Sequence, residues 1–244
     1  YYVSQPDNLL FSSAPAALTR LGSFDTSIDP QAIYDYLYCH MIPSPRTIFR
    51  GLNKLPASHF LEWRDGALRV EPYWLPQFSE AKIDTAAAGR EMLDLIETAV
   101  RRETTATTGA TVGAFLSGGI DSSTLAGMLA RTVGTADTYS IGFAAPGYDE
   151  MEYARTAARH FHTTPHEYYV TPDDIAAWLP QLAVATDEPF GNSSLLPAFC
   201  CARFAREQGV TLLLGGDGGD ELFAGNERYS KQRIFEHFKR LPRP

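Results

Sequence analysis

The chain has 244 residues, 44% hydrophobic and 20% charged, the balance of a globular protein with ample length for a buried core. Its formal charge of −8 argues against nucleic acid or an anionic membrane as the main partner. No apolar run approaches the ~18–20 residues that span a bilayer, and three cysteines, Cys39 and the adjacent Cys200 and Cys201, make neither a disulfide framework nor a metal knuckle. The opening residues lack the charged and apolar regions of a signal peptide. A reducing cytoplasm is therefore the expected location.

Residues 1–75 read as β-rich with one helix. "NLLFSS" is strand-like, and "PQAIYDYLYCHMI" is helical, with the aromatics of residues 34–38 expected in the core. "HFLEWRDGALRVEPYW" is a hairpin turning at Asp65-Gly66, a pair that tolerates the positive φ of a tight turn. "LPQFSEAKIDTAA" changes character and is the expected linker, so the second domain is expected over residues 76–244.

Helices and strands then alternate. "EMLDLIETAVRR" places Met92, Leu93, Ile96 and Val100 on one helical face. "ATVGAFL" is a short buried-type strand, "SSTLAGMLAR" a helix burying Leu125, Met128 and Leu129, and "TYSIGF" a second strand. Asp149 and Glu152 have the spacing of a capping box that opens the helix "EMEYARTAARHF". "HEYYV" is a third strand, and Thr171-Pro172-Asp173-Asp174 opens another helix with proline at its first position. "LPAFCCARFAREQ" is a helix stopped by Gly209, with both cysteines as packing residues, and "VTLLL" is a fourth strand. Strands alternating with helices of this length predict an α/β domain built on a doubly wound parallel sheet.

In such a sheet ligands bind beyond the carboxyl ends of the strands. Three polar or glycine-rich segments fall there: "SGGIDSS" after the first α/β strand, "IGFAAPGYDE" after the second and "GGDGGDE" after the fourth. In the first, Gly118 and Gly119 allow a sharp turn and close ligand approach. The hydroxyls of Ser117, Ser122 and Ser123 and the following helix N-terminus suit an anion. Neither a Walker A lysine nor a dinucleotide fingerprint is present. In the third, Asp217, Asp220 and Glu221 crowd among four glycines, an arrangement that favours a cation, and carboxylates with phosphate oxygens are the usual Mg²⁺ ligands. His162 and His166 have metal-like spacing, but a strand begins between them, so surface or satisfied histidines are expected. Asp187-Glu188-Pro189 could reach the same cleft or end a helix.

"FLSGGIDSS" resembles the pyrophosphate loop of N-type ATP pyrophosphatases. Together with "YSIGF", "YDEMEYAR", "DEPF" and "GGDGGDELFAGNERY" it resembles the glutamine-hydrolysing asparagine synthetase family, and "TIFRGLNKLPASHFLEW" resembles the last strands of that family's glutaminase domain. The resemblance implies an adenine nucleotide alpha-hydrolase-like synthetase domain preceded by part of a β-rich, Ntn-type class II glutaminase domain. It implies an ATP-dependent amide ligase that activates the side-chain carboxylate of aspartate as an acyl-adenylate, releases pyrophosphate and accepts ammonia derived from glutamine. ATP and Mg²⁺ are the implied cofactors. Phe115, Leu116, Ser117, Gly118, Gly119, Asp121, Ser122, Ser123, Ile141 and Gly216 are the implied nucleotide and pyrophosphate site, Asp121 and Asp220 the metal ligands, and Asp217 an acid near the reacting centre.

The family's terminal cysteine nucleophile has no counterpart at Tyr1, and a lysine of the family's later helical region lies beyond Pro244. The chain thus reads as a fragment expected not to hydrolyse glutamine, with open sheet edges in its front part. Relatives that amidate another carboxylate or close a β-lactam ring share the nucleotide loops, and a nucleotide-binding module without turnover is the alternative of a different class. The resemblance is compatible with a homodimer, and neither nucleic acid nor membrane is an expected partner.

Overall fold

The computed structural model describes residues 1–78, 82–107, 109–144 and 149–223, with 225, 229, 231 and 232 beyond them. Parts of the expected linker, of "IGFAAPGYDE" and of "GGDGGDELFAGNERY" lie outside the described residues. The chain divides into two compact units, residues 1–82 with 175–196, and residues 83–174 with 197–244.

The first unit opens with β1 (Tyr2–Ser4) and β2 (Leu9–Phe11), an antiparallel pair. Helices α1 (Pro15–Leu21) and α2 (Pro30–Cys39) follow. Asp29 caps α2 by accepting from the Gln31 amide, and Pro30 sits at the first helical position, where its missing N–H costs nothing. Val3, Leu18 and Leu52 form the small core with Leu10, Phe24 and Phe49 packed around them. The buried Thr47 hydroxyl donates to the Leu52 carbonyl at 2.8 Å. Strands β3 (His59–Arg64) and β4 (Ala67–Pro72) form the expected hairpin, with φ of 51° at Asp65 and 79° at Gly66. The expected core role of the α2 aromatics is corrected: Tyr34 and Tyr38 stack on each other at the surface, 62% and 78% exposed. One turn apart, they share a face that α2 does not bury.

The second unit begins with α3 (Thr85–Ala106), capped by the Asp84 carboxylate on the Ala86 amide. Val100 is buried and Ile96 partly so, whereas Met92 and Leu93 are 37% and 40% exposed. Next come β5 (Val112–Phe115), α4 (Ile120–Val133), β6 (Asp137–Phe143), α5 (Met151–Phe161) and β7 (Thr164–Val170). Helix α6 (Pro172–Ala185) carries the chain into the first unit; α7 (Leu195–Glu207), β8 (Leu212–Leu214) and the short α8 (Gly219–Phe223) complete the second.

The four strands form one parallel sheet in the order β7-β6-β5-β8. The chain steps outward from β5 to β7 and then returns to the far side of β5. The topological switch therefore lies between β5 and β8, where the ends of two strands open a crevice. Alternate residues of the strands feed two cores. Ala114 and Leu214 face Val100, Ala126, Leu129, Ala154 and Ala158 of α3, α4 and α5, while Phe115, Tyr139 and Leu213 face Cys201, Phe204 and Ala205 of α7. This two-sided coverage explains the near-continuous apolar runs of β5 and β8. Among the described residues no helix is long and apolar enough to cross a membrane.

The expected capping box at α5 is also corrected. Asp149 accepts from the Met151 amide, but the Glu152 carboxylate turns to Arg155 rather than back to the cap.

Candidate functional site

The loop after β5 is fixed at its base by β6. The Leu116 amide donates to the Tyr139 carbonyl at 2.9 Å, and the buried Ser140 hydroxyl donates to the Leu116 carbonyl at 2.6 Å. Leu116 is 2% exposed, and Phe115 and Ile141 pack against the α7 side of the sheet. These three therefore shape the site from beneath through backbone and packing.

Beyond Leu116 the chain turns out to solvent. The Ser117 and Ser122 hydroxyls lie 3.0 Å apart; the Gly119 amide donates to Ser117 Oγ at 3.3 Å, and Ser122 Oγ donates to the Gly119 carbonyl at 3.2 Å. Gly118 has φ of +87°, and a Cβ there would lie 2.5 Å from the Tyr153 carbonyl carbon and 2.6 Å from the Ala154 nitrogen. Only glycine meets both demands. Gly119 is the N-cap of α4 and supplies no side-chain cap, which leaves the first amides of a 14-residue helix to be satisfied from outside. Among the described residues Ser123 Oγ, which is shut off from solvent, has no hydrogen-bond partner. A group of that kind carries a desolvation cost until something accepts its proton.

The loop after β8 reaches the same place. A Cβ on Gly219 would stand 2.5 Å from Asp121 Cγ, and one on Gly216 would stand 3.0 Å from Asp121 Cβ and 3.1 Å from the Ser122 nitrogen. Two glycines of "GGDGGDE" thus make the hollow that receives the Asp121 side chain. Asp220 follows Gly219 directly and is half-buried, while Asp217 is exposed on the turn before it. The structure brings Ser117, Gly118, Gly119, Asp121, Ser122 and Ser123 together with Gly216, Gly219 and Asp220 at the switch point.

The donor set suits a hard cation partly liganded by phosphate. Among the described residues no cluster of three or more His, Cys, Asp or Glu side chains could hold a metal alone; a pair of carboxylates such as Asp121 and Asp220 could hold one only with phosphate oxygens and water beside them.

The remaining sequence candidates lie elsewhere. His166 Nε2 is 2.9 Å from Asp137 and its ring stacks on Tyr139 at 4.7 Å; His162 closes α5. A hollow of about 390 Å³ is lined by Arg155, Ala158, Arg159 and His162 of α5 and its C-cap and by Thr163 and Pro165. Glu188 pairs with Lys54 at 2.5 Å within the first unit. Burial pushes the thiols of Cys200 and Cys201 up to about 11 and about 12, consistent with packing roles. Sequence reasoning missed Gly219 and Ser140. A serine inside an apolar strand was the available signal for the second.

Comparison with known proteins gives the family. The asparagine synthase profile matches residues 91–243, and the glutamine amidotransferase domain profile matches residues 1–74. The chain is 33% identical over 232 residues to a Mycobacterium tuberculosis protein provisionally named an asparagine synthetase (glutamine-hydrolyzing), covering 93% of this chain and 35% of that one. It is 28% identical over 243 residues to Bacillus subtilis asparagine synthetase (glutamine-hydrolyzing) 1, covering 99% and 38%. With a provisionally named Methanocaldococcus jannaschii asparagine synthetase (glutamine-hydrolyzing) 2 it shares 30% over 253 residues, covering 100% and 48%. It therefore spans between about a third and a half of the length of these relatives. Among solved structures it is similar to the NH3-dependent NAD synthetase of Campylobacter jejuni, with a TM-score of 0.40 and 14% identity, covering 56% of this chain and 60% of that one.

Proposed function

The chain belongs to the asparagine synthase family, and from that premise we propose that it carries the nucleotide site of an ATP-dependent amide ligase. In the proposed reaction the side-chain carboxylate of aspartate attacks the α-phosphorus of ATP. The bond to the bridging oxygen breaks and pyrophosphate leaves, giving a β-aspartyl adenylate. Ammonia derived from glutamine then attacks the activated carbonyl, loses a proton and expels AMP, yielding asparagine.

The observation that carries this reading is the seating of Asp121 against Gly216 and Gly219, which ties an anion-binding helix N-terminus to an acidic, glycine-rich turn. The hydroxyls of Ser117 and Ser122 and the amides of the first α4 turn would grip the leaving pyrophosphate, and the enclosed Ser123 hydroxyl would join them once the turn shifts to expose it. Asp121 and Asp220 would hold Mg²⁺, which when bound supplies neutralisation of the charge developing on the pyrophosphate oxygens. Donors fixed before the reaction stabilise that charge without reorganising. Ile141 and the backbone at Gly216 would line the nucleoside, and Asp217, on the exposed turn, would lie nearest the reacting carboxylate. Glutamine hydrolysis is not proposed for these residues: Cys200 and Cys201 are packed thiols whose ionisation burial opposes. A cytoplasmic enzyme with small-molecule substrates is the setting proposed.

ATP–pyrophosphate exchange in the intact protein tests the reading. Exchange that requires aspartate and Mg²⁺ is the expected result. Exchange that requires a different carboxylic acid would move the protein to a related ligase, and ATP binding with no exchange for any acid would make it a binding module.

A further inference from the structure

We propose that Arg155, Glu167 and Tyr169 are positioning residues for the phosphate loop, acting through the first turns of α5. The proposal rests on the reading above that the Ser117–Ser123 loop receives pyrophosphate. None of the three belongs to the loop, and none is among the residues assigned to the nucleotide.

The loop takes its shape from α5. Because a side chain on Gly118 would run into the Tyr153 carbonyl carbon and the Ala154 nitrogen, the loop backbone rests directly on that helix's first turn. Where the turn goes, Gly118 follows. Apolar burial anchors this turn at one large side chain, Met151, and beyond it offers only the small Ala154 and Ala158. The alanines resist rotation about that single anchor only weakly, because it costs little area.

Polar contacts from β7 remove that freedom. Glu167 and Tyr169 are two residues apart and so project from the same face of the strand. Tyr169 donates through its hydroxyl to Asp149 Oδ2 at 3.2 Å, while Asp149 Oδ1 accepts from the Met151 amide at 3.2 Å. One turn further on, Arg155 donates through Nε and Nη2 to the two oxygens of Glu167 at 2.9 and 2.6 Å, and its remaining nitrogen contacts Glu152. The strand thus grips α5 at two points. The Tyr169 grip is itself fixed, because its ring covers Gly142, where a Cβ would stand 2.6 Å from Tyr169 Cε1.

Two features distinguish this fork from a phosphate ligand and from ordinary stabilisation. Arg155 already faces two carboxylates, so its charge is satisfied without a nucleotide. Its side chain is 35% exposed and that of Glu167 27%, a setting in which an ion pair adds little to global stability. What a two-pronged fork gives is direction, because both N–H bonds must align with one carboxylate plane. Lysine keeps the charge of Arg155 and loses that alignment.

The test uses Arg155→Lys and Glu167→Gln, with Tyr169→Phe as an independent second grip, in the intact protein. ATP–pyrophosphate exchange is measured against ATP concentration, product inhibition by pyrophosphate is measured in the forward ammonia-dependent synthesis, and the melting temperature is recorded alongside. A loop displaced by a fraction of an ångström raises the KM for ATP and the Ki for pyrophosphate about tenfold in the first two variants, with a smaller rise in the third. The maximal rate at saturating ATP falls less, and the melting temperature stays close to that of the wild type. KM and Ki unchanged within about twofold, with or without a lower melting temperature, would overturn the proposal, because a purely structural fork moves stability and not nucleotide affinity. Wild-type protein that binds neither ATP nor pyrophosphate would overturn the functional reading as well. The two failures are distinct because the second appears before any substitution is made.

Discussion

Replacing Gly219 by alanine should disable the site while leaving the protein folded. The added methyl carbon would stand 2.5 Å from Asp121 Cγ and 3.0 Å from Oδ1. Non-bonded carbons rest at roughly 3.5–4.0 Å, so the carboxylate has to retreat by about 1 Å. In a group with the metal-holding role proposed for Asp121, a displacement of that size costs on the order of 10²-fold in rate, or about 2.7 kcal/mol at the transition state. Overpacking costs about 1–3 kcal/mol in a tight core. The lower end applies here, because Asp121 is half-buried and α8 has no buried residues. ATP–pyrophosphate exchange across a Mg²⁺ titration in the intact protein, with thermal melting alongside, reads both quantities. Exchange within about threefold of wild type at every Mg²⁺ concentration would refute the reasoning, because Asp121 would then not work from the place where Gly219 holds it.

Two glycines in helices should respond in opposite senses. Gly127→Ala places a methyl 2.6 Å from the Phe161 ring and should destabilise the second unit by about 1–3 kcal/mol, whereas Gly89→Ala meets nothing within 4 Å and should stabilise α3 by about 0.5–1 kcal/mol; denaturant titration of each checks the sign. Exposed Cys39 should alkylate in the native protein at mildly alkaline pH, and buried Cys200 and Cys201 only on unfolding, as peptide mapping would show. Because their folded-state values are raised to about 11 and about 12, these thiols favour the folded state fully below the ordinary thiol range. That contribution is lost as pH climbs from about 8.5 toward the raised values. Lys54→Met strands Glu188, one of whose oxygens already lacks a partner, and should cost about 2–3 kcal/mol, with Lys54→Met/Glu188→Leu recovering most of it. Hydrogen exchange over residues 40–54 and 186–192 is the readout, and equal protection in the single and double variants would contradict it.

The parallel sheet was legible because buried parallel strands read as short apolar runs, and glycines or prolines mark where they stop. Elements with weaker signals escaped. Helix α1 is preceded at its N-cap by Ala14, which has no side-chain oxygen to cap it, and β1 is three residues long. The Tyr34 and Tyr38 pattern gave a face but not whether anything covers it. At Asp149 and Glu152 the spacing was that of a capping box, yet Arg155 one turn away offers Glu152 a charged donor in place of a backbone amide. Each site loop was visible alone. That Gly219 seats Asp121 follows only once β8 returns beside β5, and one sequence does not state strand order.

The segment 175–196 shows why pattern reading reaches its limit between β7 and β8. Two helices lie there with similar apolar content, and the alternation of a doubly wound sheet needs only one of them. Helix α7 is that one, since Cys201 and Ala205 pack against Tyr139 of the sheet. Helix α6 starts on the second unit, where the Asp174 carboxylate accepts from the amide and hydroxyl of Thr171, and then joins the first. Beyond it the Gly191 amide donates to the His40 carbonyl at 2.8 Å, Lys54 bonds both Glu188 and the Ile42 carbonyl, and a Cβ on Gly191 would meet the His40 side chain at 2.9 Å. A stretch within the span of the asparagine synthase profile thus folds with residues matched by the glutamine amidotransferase profile. The backbone therefore passes between the two units three times rather than once. Any cut of the chain near residue 75 or 82 would separate Lys54 from Glu188 and leave a half-buried carboxylate unpaired, so a boundary drawn on sequence alone does not mark where this protein can be divided.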